Sequence, residues 1–305
     1  MKKIKLGTSP LYTGEIGLGC MRMNDLDLNE AEGVVKNALN LGVDLFDHAD
    51  IYGKGKSEEI FGKAVDLKSS IRDKMILQSK CGIREGYFDF SKKHIISSVE
   101  ESLKRLGSEN LDVLLLHRPD ALMEPEEVAA AFTELKKSGK VKYFGVSNQH
   151  PQQIELLQSV YDEDLIINQL QLSLMHTPML DHGFNVNMKN DAAINRDGGV
   201  YEYSRMKNMT IQAWSPFQHG MIEGAFIGNK NFPEVNAKLD EIAEKKNVTS
   251  GAAAIAWLLK LPAGIQPVVG TMKQKRLQDI AEASNIEITR AEWYELYRAA
   301  GNKLP

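Results

Sequence analysis

The sequence predicts an α/β protein, a (β/α)8 TIM barrel with an N-terminal lead-in segment and extra helices near the C-terminus. Strand-like runs alternate with amphipathic helices from about residue 15 onward, and seven successive runs end on a polar or aromatic residue suited to chemistry. A parallel barrel would gather these residues, because the C-terminal ends of its strands open on one face. The pattern therefore favours an enzyme. The end positions are Asp47, Lys80, His117, Ser147-Asn148, Gln169, Trp214-Ser215 and Gly270-Thr271.

Eight strands can be counted along the chain. Residues 111–116 and 141–146 are short and mostly apolar, as expected of parallel strands covered on both faces. A doubly wound sheet is the alternative, but its dinucleotide-binding form needs a third glycine that the segment after Gly17-Leu-Gly19 lacks. We interpret this segment as a strand end. The predicted strands are residues 15–19, 43–47, 74–80, 111–117, 141–146, 165–169, 210–214 and 266–270.

The segments between these strands carry helix signals. Residues 91–106 place apolar side chains on one face at helical spacing, and Gly107 follows where a C-terminal glycine is favoured. Asp27 and Glu30 form a capping-box pair before another helix, and a third begins at Pro125. The same strand and helix unit therefore recurs.

Two segments lack this regularity. Residues 176–200 are rich in Asn, Asp and Gly, and residues 217–232 also show no clear period. Both follow strands on the presumed active face, so the sequence leaves open whether they shape a pocket or are surface insertions.

Composition indicates an ordinary soluble protein, which we predict to be a single domain over residues 1–305. The net charge of −4 offers no basic stripe for nucleic-acid phosphates. The start of the chain lacks the apolar core of a signal sequence, and no later run is long enough for a membrane span. We therefore predict a cytoplasmic protein, a monomer or weak homo-oligomer, with neither nucleic-acid nor membrane partners.

Cysteine and histidine usage argues against metal sites. Cys20 and Cys81 lack the CxxC spacing of zinc or redox motifs and are interpreted as buried, reduced thiols. The seven histidines are scattered without the His-x-His spacing common in metal-dependent barrel hydrolases. We predict no metal ligands.

Residues 42–53 contain Asp47 five positions before a Tyr52-Gly53 pair, and this segment resembles the signature of the aldo-keto reductase family. Further motifs similar to those of the family follow in order, and the resemblance spans roughly residues 15–283. It implies a barrel fold, a nicotinamide cofactor and reduction of a small-molecule carbonyl. The further motifs are Ser79-Lys80, His117-Arg118-Pro119, Gly145 to Asn148, Asn168-Gln169, Ala213 to Pro216, and Val269 to Thr271 through Arg276.

The resemblance implies a catalytic tetrad of Asp47, Tyr52, Lys80 and His117. Reducing a carbonyl requires a proton donor beside the developing alkoxide, and the resemblance assigns this role to Tyr52. A free tyrosine has a pKa of about 10, so a neighbouring cation such as Lys80 would favour its ionised form. Asp47 would keep the ammonium charged, and His117 would orient the substrate oxygen.

The resemblance also implies residues that bind the cofactor. Ser147, Asn148 and Gln169 would hydrogen-bond the nicotinamide carboxamide, and Trp214, where tyrosine is more familiar in the family, would stack on the ring. Met21 would lie near the ring, Asp47 beside it, and the loop bearing Ser215, Phe217 and Gly220 would embrace the pyrophosphate. Gly270, Thr271, Lys273 and Arg276 would meet the adenosine phosphate end.

The charges at that end favour NADPH, with NADH possible, because Lys273 and Arg276 could bind a 2′-phosphate. Ile280 replaces an asparagine that many relatives use for adenine. Arg118 could contact an anionic substrate or pair with Asp120, and His48 is interpreted as structural or supporting.

The sequence thus predicts an NADPH-dependent reductase of aldehydes or ketones in which Tyr52 is the general acid, assisted by Lys80, Asp47 and His117. The alternative is a nicotinamide-binding regulatory subunit with little catalysis, because some members of the family serve channels in that way. A partner surface would favour the alternative, and the sequence shows no sign of one.

Overall fold

Eight parallel strands close into a barrel in the computed structural model, which describes residues 1–67 and 70–304. The barrel strands run in chain order around the ring, and the last pairs with the first. The described strands are β1 (Lys3–Lys5), β2 (Tyr12–Gly14), β3 (Gly17–Gly19), β4 (Leu45–Asp47), β5 (Ile76–Cys81), β6 (Ile83–Arg84), β7 (Tyr87–Phe88), β8 (Leu111–Leu116), β9 (Val141–Ser147), β10 (Leu165–Gln171), β11 (Thr210–Trp214) and β12 (Ile265–Val269). The barrel consists of β3, β4, β5 and β8 to β12, which confirms the predicted fold and all eight predicted strands.

Helices surround the barrel, and pairs of helices follow β10, β11 and β12. The later pairs account for the extra helices predicted near the C-terminus. None of the helices in the described parts of the chain is long and apolar enough to cross a membrane. The helices are α1 (Leu28–Asn40), α2 (Lys56–Ala64), α3 (Lys92–Leu106), α4 (Pro125–Lys137), α5 (Pro151–Gln158), α6 (Pro178–Phe184), α7 (Val200–Met206), α8 (Pro233–Lys246), α9 (Ser250–Leu259), α10 (Gln274–Ala281) and α11 (Arg290–Ala299).

The helix signals read from the sequence are confirmed. The Asp27 side chain accepts from the Glu30 amide, and the Glu30 side chain accepts from the Asp27 amide, so the capping box of α1 is complete. Ser91 caps α3, and Gly107 ends it in the left-handed region with φ of 66°. Pro125 occupies the first turn of α4.

Three barrel strands begin later than predicted, because the residues before them are held in other structures. The first predicted strand begins at Gly17 rather than at residue 15, because the Glu15 amide donates to the Lys2 carbonyl beside the lead-in hairpin. The second begins at Leu45, because the Val43 amide still bonds to Ala38 at the end of α1. The third begins at Ile76, after a 3-10 turn at Arg72–Lys74.

The lead-in segment is an antiparallel hairpin of β1 and β2 that closes the N-terminal end of the barrel. Leu6, in its turn, is fully buried against Leu45 and neighbouring barrel residues. The Gly7 amide donates to Thr210 Oγ1 at 2.8 Å, and the Gly14 carbonyl accepts from the Gln266 side chain at 2.7 Å. A site for a ligand is therefore expected at the opposite end.

The segment 176–200 is more regular than its composition indicated. It contains α6 and a 3-10 turn at Asp191–Ala193, and α7 begins at its last residue. Asn and Asp cap and bridge these short turns, as when Asn190 accepts from the Ala193 amide. The segment 217–232 is irregular as predicted, with one bridge between Gln218 and Ala225.

A buried polar cluster holds α2 and α3 against β5. Glu58 is fully buried, accepts from Arg105 Nε at 2.8 Å and accepts from Ser79 Oγ at 2.7 Å. Asp50 lies beside this cluster, and its amide donates to the Lys80 carbonyl. Burial raises the pKa of Asp50 to about 7, repulsion from Glu58 adds to the increase, and Arg105 opposes it.

This pKa predicts how stability depends on pH. The folded pKa of Asp50 lies above its ordinary value of 3.8, so its contribution to stability is fully present below about pH 4 and is lost as the pH rises through about 7. Asp50→Asn should therefore stabilise the protein relative to wild type by roughly 2 kcal/mol more at pH 8 than at pH 5, measured by urea denaturation. Asp162→Asn, at an exposed position, controls for the loss of one carboxylate. A stability difference between Asp50→Asn and wild type that is equal at both pH values would contradict this prediction.

Candidate active site

A cavity of about 590 Å³ opens where the barrel strands end. Most of the residues predicted from the sequence as functional line it. Lys80 lies beneath its wall with no exposed side-chain surface, and Gly220 lies outside it. The lining residues that were predicted are Met21, Asp47, Tyr52, His117, Ser147, Asn148, Gln169, Trp214, Ser215, Phe217, Gly270, Thr271, Lys273 and Arg276.

The buried ammonium of Lys80 organises the base of the cavity. Lys80 Nζ lies 2.7 Å from Asp47 Oδ1, 2.7 Å from the His48 carbonyl oxygen and 3.2 Å from the Tyr52 hydroxyl. An ammonium has three donors, so these three acceptors satisfy it completely. Burial acts to lower the pKa of Lys80, but the charge of Asp47 and the interactions with Asp47 and Tyr52 outweigh it and hold the pKa above its ordinary value. Lys80 is therefore charged at neutral pH.

The turn after β4 brings the Tyr52 phenol back onto Lys80. The segment Tyr52–Gly55 is a 3-10 turn in which Gly53 and Gly55 have φ of 58° and 90°. A Cβ at Gly53 would lie 2.9 Å from Asn24 Cβ, so glycine is needed both for the backbone conformation and for the close approach. Gly53 thus permits the tight turn that places the Tyr52 hydroxyl beside Lys80.

The Tyr52 phenol is protonated at neutral pH. Burial raises its pKa, Lys80 acts to lower it, and Asp47 adds to the increase. Lys80 thus acts in the direction expected from the sequence, but burial outweighs it. The phenol has a proton to give, and the adjacent ammonium would stabilise the phenolate left behind.

His117 faces the same phenol. Its ring meets the Tyr52 ring edge-on, with centroids 5.9 Å apart. Burial lowers the pKa of His117 well below its ordinary value, and the charges of Lys80 and Arg118 add to the decrease. The imidazole is therefore neutral and can hydrogen-bond a ligand oxygen without bringing a charge.

One wall of the cavity is a set of ordered polar side chains. Trp214 Nε1 donates to Asn148 Oδ1 at 3.1 Å, and Asn148 Nδ2 donates to Ser147 Oγ at 2.7 Å. Ser147 Oγ in turn donates to the Gln169 carbonyl at 2.9 Å. The Arg118 guanidinium lies 5.5 Å from the Trp214 ring centre, and no ion pair joins it to Asp120 in the described chain.

The outer rim of the cavity carries positive charge. Lys273 and Arg276 are exposed there, and Arg22 donates to the Gly270 carbonyl at 3.0 Å. Arg22 was not predicted from the sequence, because nothing in its local pattern places it opposite Gly270. Lys275 pairs with Asp279 instead. Three cations therefore face the same end of the cavity.

One predicted cofactor contact, Gly220, lies outside the cavity, and so does Ile280, which replaces the asparagine of many relatives. A Cβ at Gly220 would lie 2.4 Å from the Glu223 carboxyl carbon, so this glycine permits a turn within the 217–232 loop without lining the cavity. Ile280 is 2% exposed and packs into the core, where it offers the cavity no contact. The loop itself does shape the cavity, whereas the segment 176–200 contributes no described residue to its lining.

His48 and the two cysteines play structural parts. The His48 ring is fully buried edge-on against Phe61, with centroids 4.5 Å apart, and burial lowers its pKa to about 3. Cys20 and Cys81 are buried and free, as predicted, and burial raises the pKa of both thiols. Within residues 1–67 and 70–304, no cluster of His, Cys, Asp or Glu could hold a metal ion.

Sequence reasoning missed the polar floor of the cavity. Gln78, Gln212 and Gln266 lie fully buried in β5, β11 and β12. A signal was present, since Gln78 and Gln212 stand two residues before Lys80 and Trp214 and therefore point to the same side of their strands. Polar residues at that spacing inside apolar strands indicate the barrel interior.

Comparisons with known proteins agree on one family. A family model described as "Aldo/keto reductase family" matches residues 15–300. "6-dehydroglucose reductase" of Agrobacterium fabrum is 35% identical, covering 99% of each chain, and "Oxidoreductase YdhF" of Escherichia coli is 35% identical, covering 93% of this chain and 92% of that one. The crystal structure of a thermostable aldo-keto reductase with the inhibitor epalrestat shares the fold, with a TM-score of 0.79 at 23% identity, covering 98% of this chain and 100% of that one. The chain belongs to the aldo/keto reductase family and is an oxidoreductase.

Proposed function

We propose that the protein reduces aldehydes or ketones to alcohols with NADPH, and that Tyr52 is the general acid. The observation that carries the proposal is the position of Tyr52 in the cavity lining, with its hydroxyl 3.2 Å from the Lys80 ammonium. Burial raises the pKa of this hydroxyl, so it has a proton to give at neutral pH. An acid without such a neighbour would leave a buried, unstabilised phenolate behind. The contact between this hydroxyl and the ammonium supports the proposal, because protonating an alkoxide leaves a phenolate that a neighbouring cation would stabilise.

The cavity residues fit a nicotinamide dinucleotide phosphate. Ser147, Asn148 and Gln169 would hold the carboxamide, and Trp214 would offer an aromatic face to the ring. Lys273 and Arg276 stand at the rim, where a 2′-phosphate would be held. Met21, Ser215, Phe217, Gly270 and Thr271 would line the remaining path. The bound cofactor would supply a hydride, for which the described side chains offer no substitute.

Side chains of the protein would orient the carbonyl oxygen and supply the proton. His117, being neutral, would donate a hydrogen bond to the carbonyl oxygen and orient it toward the Tyr52 hydroxyl. Tyr52 would transfer its proton to the developing alkoxide, and Lys80 would stabilise the resulting phenolate. Asp47 would keep the ammonium in place, because it accepts from Lys80 at 2.7 Å.

Removing the Tyr52 hydroxyl should strongly reduce turnover and leave cofactor binding nearly unchanged. General acid catalysis contributes about 10²- to 10⁴-fold, so Tyr52→Phe should lower kcat with a reactive aldehyde by that range. The dissociation constant for NADPH, measured by fluorescence titration, should change by less than about threefold, because the ring remains. Tyr12→Phe, at a position 62% exposed and outside the cavity, is the matched control.

Wild-type turnover by Tyr52→Phe would contradict the assignment of the acid. Tight NADPH binding by the wild-type protein without reduction of any of a broad panel of aldehydes and ketones would instead favour the regulatory alternative. Both results come from the same titration and assay.

The rim charges should set the preference for NADPH over NADH. Arg276→Leu should weaken NADPH binding by about tenfold and leave NADH binding nearly unchanged, because a charge-assisted hydrogen bond to the 2′-phosphate is lost. Lys275→Leu is the control, since Lys275 is paired with Asp279 and lies outside the cavity lining. Equal weakening of both cofactors by Arg276→Leu, in parallel titrations, would show that this arginine does not contact the 2′-phosphate.

A further inference from the structure

Four glutamine side chains form a continuous hydrogen-bonded chain across the barrel below the cavity. Gln78 Nε2 donates to Gln212 Oε1 at 2.8 Å, and Gln212 Nε2 returns a bond to Gln78 Oε1 at 3.1 Å. Gln212 Nε2 also donates to Gln266 Oε1 at 3.0 Å, and Gln169 Nε2 donates to Gln212 Oε1 at 2.9 Å. All four residues are at most 3% exposed. This hydrogen-bonded chain of glutamines links four strands of the barrel.

The glutamine chain ends on each side at a group that can only accept hydrogen bonds. Gln266 Nε2 donates to the Gly14 carbonyl at 2.7 Å, and Gln78 Nε2 donates to Asp47 Oδ1 at 2.6 Å. An amide side chain has one accepting and one donating end, so an acceptor on one side fixes which end faces the other side. The orientation of Gln266 and of Gln78 is therefore set by the protein.

The hydrogen bonds to these two neighbours fix the orientation of the Gln212 amide. Gln266 presents its oxygen, so Gln212 must present its nitrogen there, and the reciprocal pair with Gln78 requires the same orientation. Gln212 Oε1 then accepts from both Gln78 and Gln169. Reversing the Gln169 amide would bring two carbonyl oxygens together in a buried site, which is strongly unfavourable.

Gln169 consequently faces the cavity as an acceptor. Its Nε2 is engaged with Gln212, and its Oε1 has no hydrogen-bond partner among the described residues. The same chain runs from Gln169 through Gln212 and Gln78 to Asp47, which holds Lys80. The group that would bind a ligand amide and the group that holds the ammonium thus belong to one network.

We infer that Gln78 and Gln212 are positioning residues that fix Gln169 as a hydrogen-bond acceptor for the N–H of the cofactor carboxamide. This inference rests on the proposed function, since it assumes that a nicotinamide occupies the cavity. Gln78 and Gln212 belong neither to the tetrad nor to the residues that would contact the carboxamide. They would act only by selecting the orientation of the Gln169 amide.

The inference can be tested with a cofactor that lacks the amide donor. The acetylpyridine analogue of NADPH replaces the carboxamide with a methyl ketone, which keeps the oxygen and loses the N–H. Wild-type protein should bind NADPH at least about tenfold more tightly than this analogue, because Gln169 is left unpaired by the ketone. Both dissociation constants can be measured by fluorescence titration.

Gln212→Met should reduce that preference to less than about threefold, because Gln169 is then free to reverse and donate to the ketone. Gln266→Met is the matched control within the same floor, and it should retain most of the preference, because Asp47 still orients Gln78 and Gln212. If Gln212 had a purely structural role, Gln212→Met would weaken the binding of NADPH and of the analogue alike. The ratio of their dissociation constants would then be unchanged. Thermal melting verifies that each variant folds. If Gln212→Met does not fold, the double variant Gln78→Met with Gln266→Met tests the same link, because it removes both neighbours that orient Gln212.

Equal affinity of wild-type protein for NADPH and its analogue would overturn the inference, as would a full preference retained in a folded Gln212→Met or in the folded double variant Gln78→Met with Gln266→Met. Failure of wild-type protein to bind either dinucleotide would overturn the proposed function, and the inference with it. Tight binding of NADPH combined with equal binding of the analogue would overturn the inference alone.

Discussion

The site depends on one buried cation. The Lys80 ammonium has no exposed surface, and burying an unpaired charge is strongly unfavourable, so the surrounding structure must satisfy it. Asp47 and the His48 carbonyl accept hydrogen bonds from two of its N–H groups, and the third N–H points at the Tyr52 hydroxyl. The cost of burying this charge is thus offset by an arrangement that also stabilises negative charge on the phenol.

The barrel makes that arrangement possible. Asp47 ends β4 and Lys80 lies near the end of β5, and these neighbouring parallel strands bring the two side chains together. The lead-in hairpin closes the other end and supplies the Gly14 carbonyl on which the glutamine chain stops. A continuous set of hydrogen bonds therefore runs from the closed end of the barrel to the end where the cavity opens.

Much of this could be predicted from the sequence. Alternation of apolar runs with amphipathic helices was sufficient for all eight barrel strands, because burial on both faces leaves a clear pattern. The tetrad came from a resemblance carried by ordered motifs, and its physical sense could be argued from residue types. The structure brings these four residues together, whereas their catalytic roles stay proposals.

The remainder depends on three-dimensional detail. The pKa of Tyr52 is raised because burial outweighs Lys80, and burial cannot be weighed from spacing. Arg22 meets Gly270 across 248 positions, and Gln78 meets Gln212 across 134, so no local pattern reveals either contact. The short helices after β10 have no hydrogen bond from an N-cap side chain and lie within a polar segment, where periodicity is too brief to be recognised.

The most direct measurement of the central claim is the single-turnover rate at which bound NADPH is oxidised by an aldehyde in a charge-neutral double variant, Asp47→Asn with Lys80→Met. Removing both partners avoids leaving either charge buried alone. The account predicts a rate at least about 100-fold below wild type at saturating NADPH, because nothing then stabilises the Tyr52 phenolate. A wild-type rate in that folded variant would contradict the account.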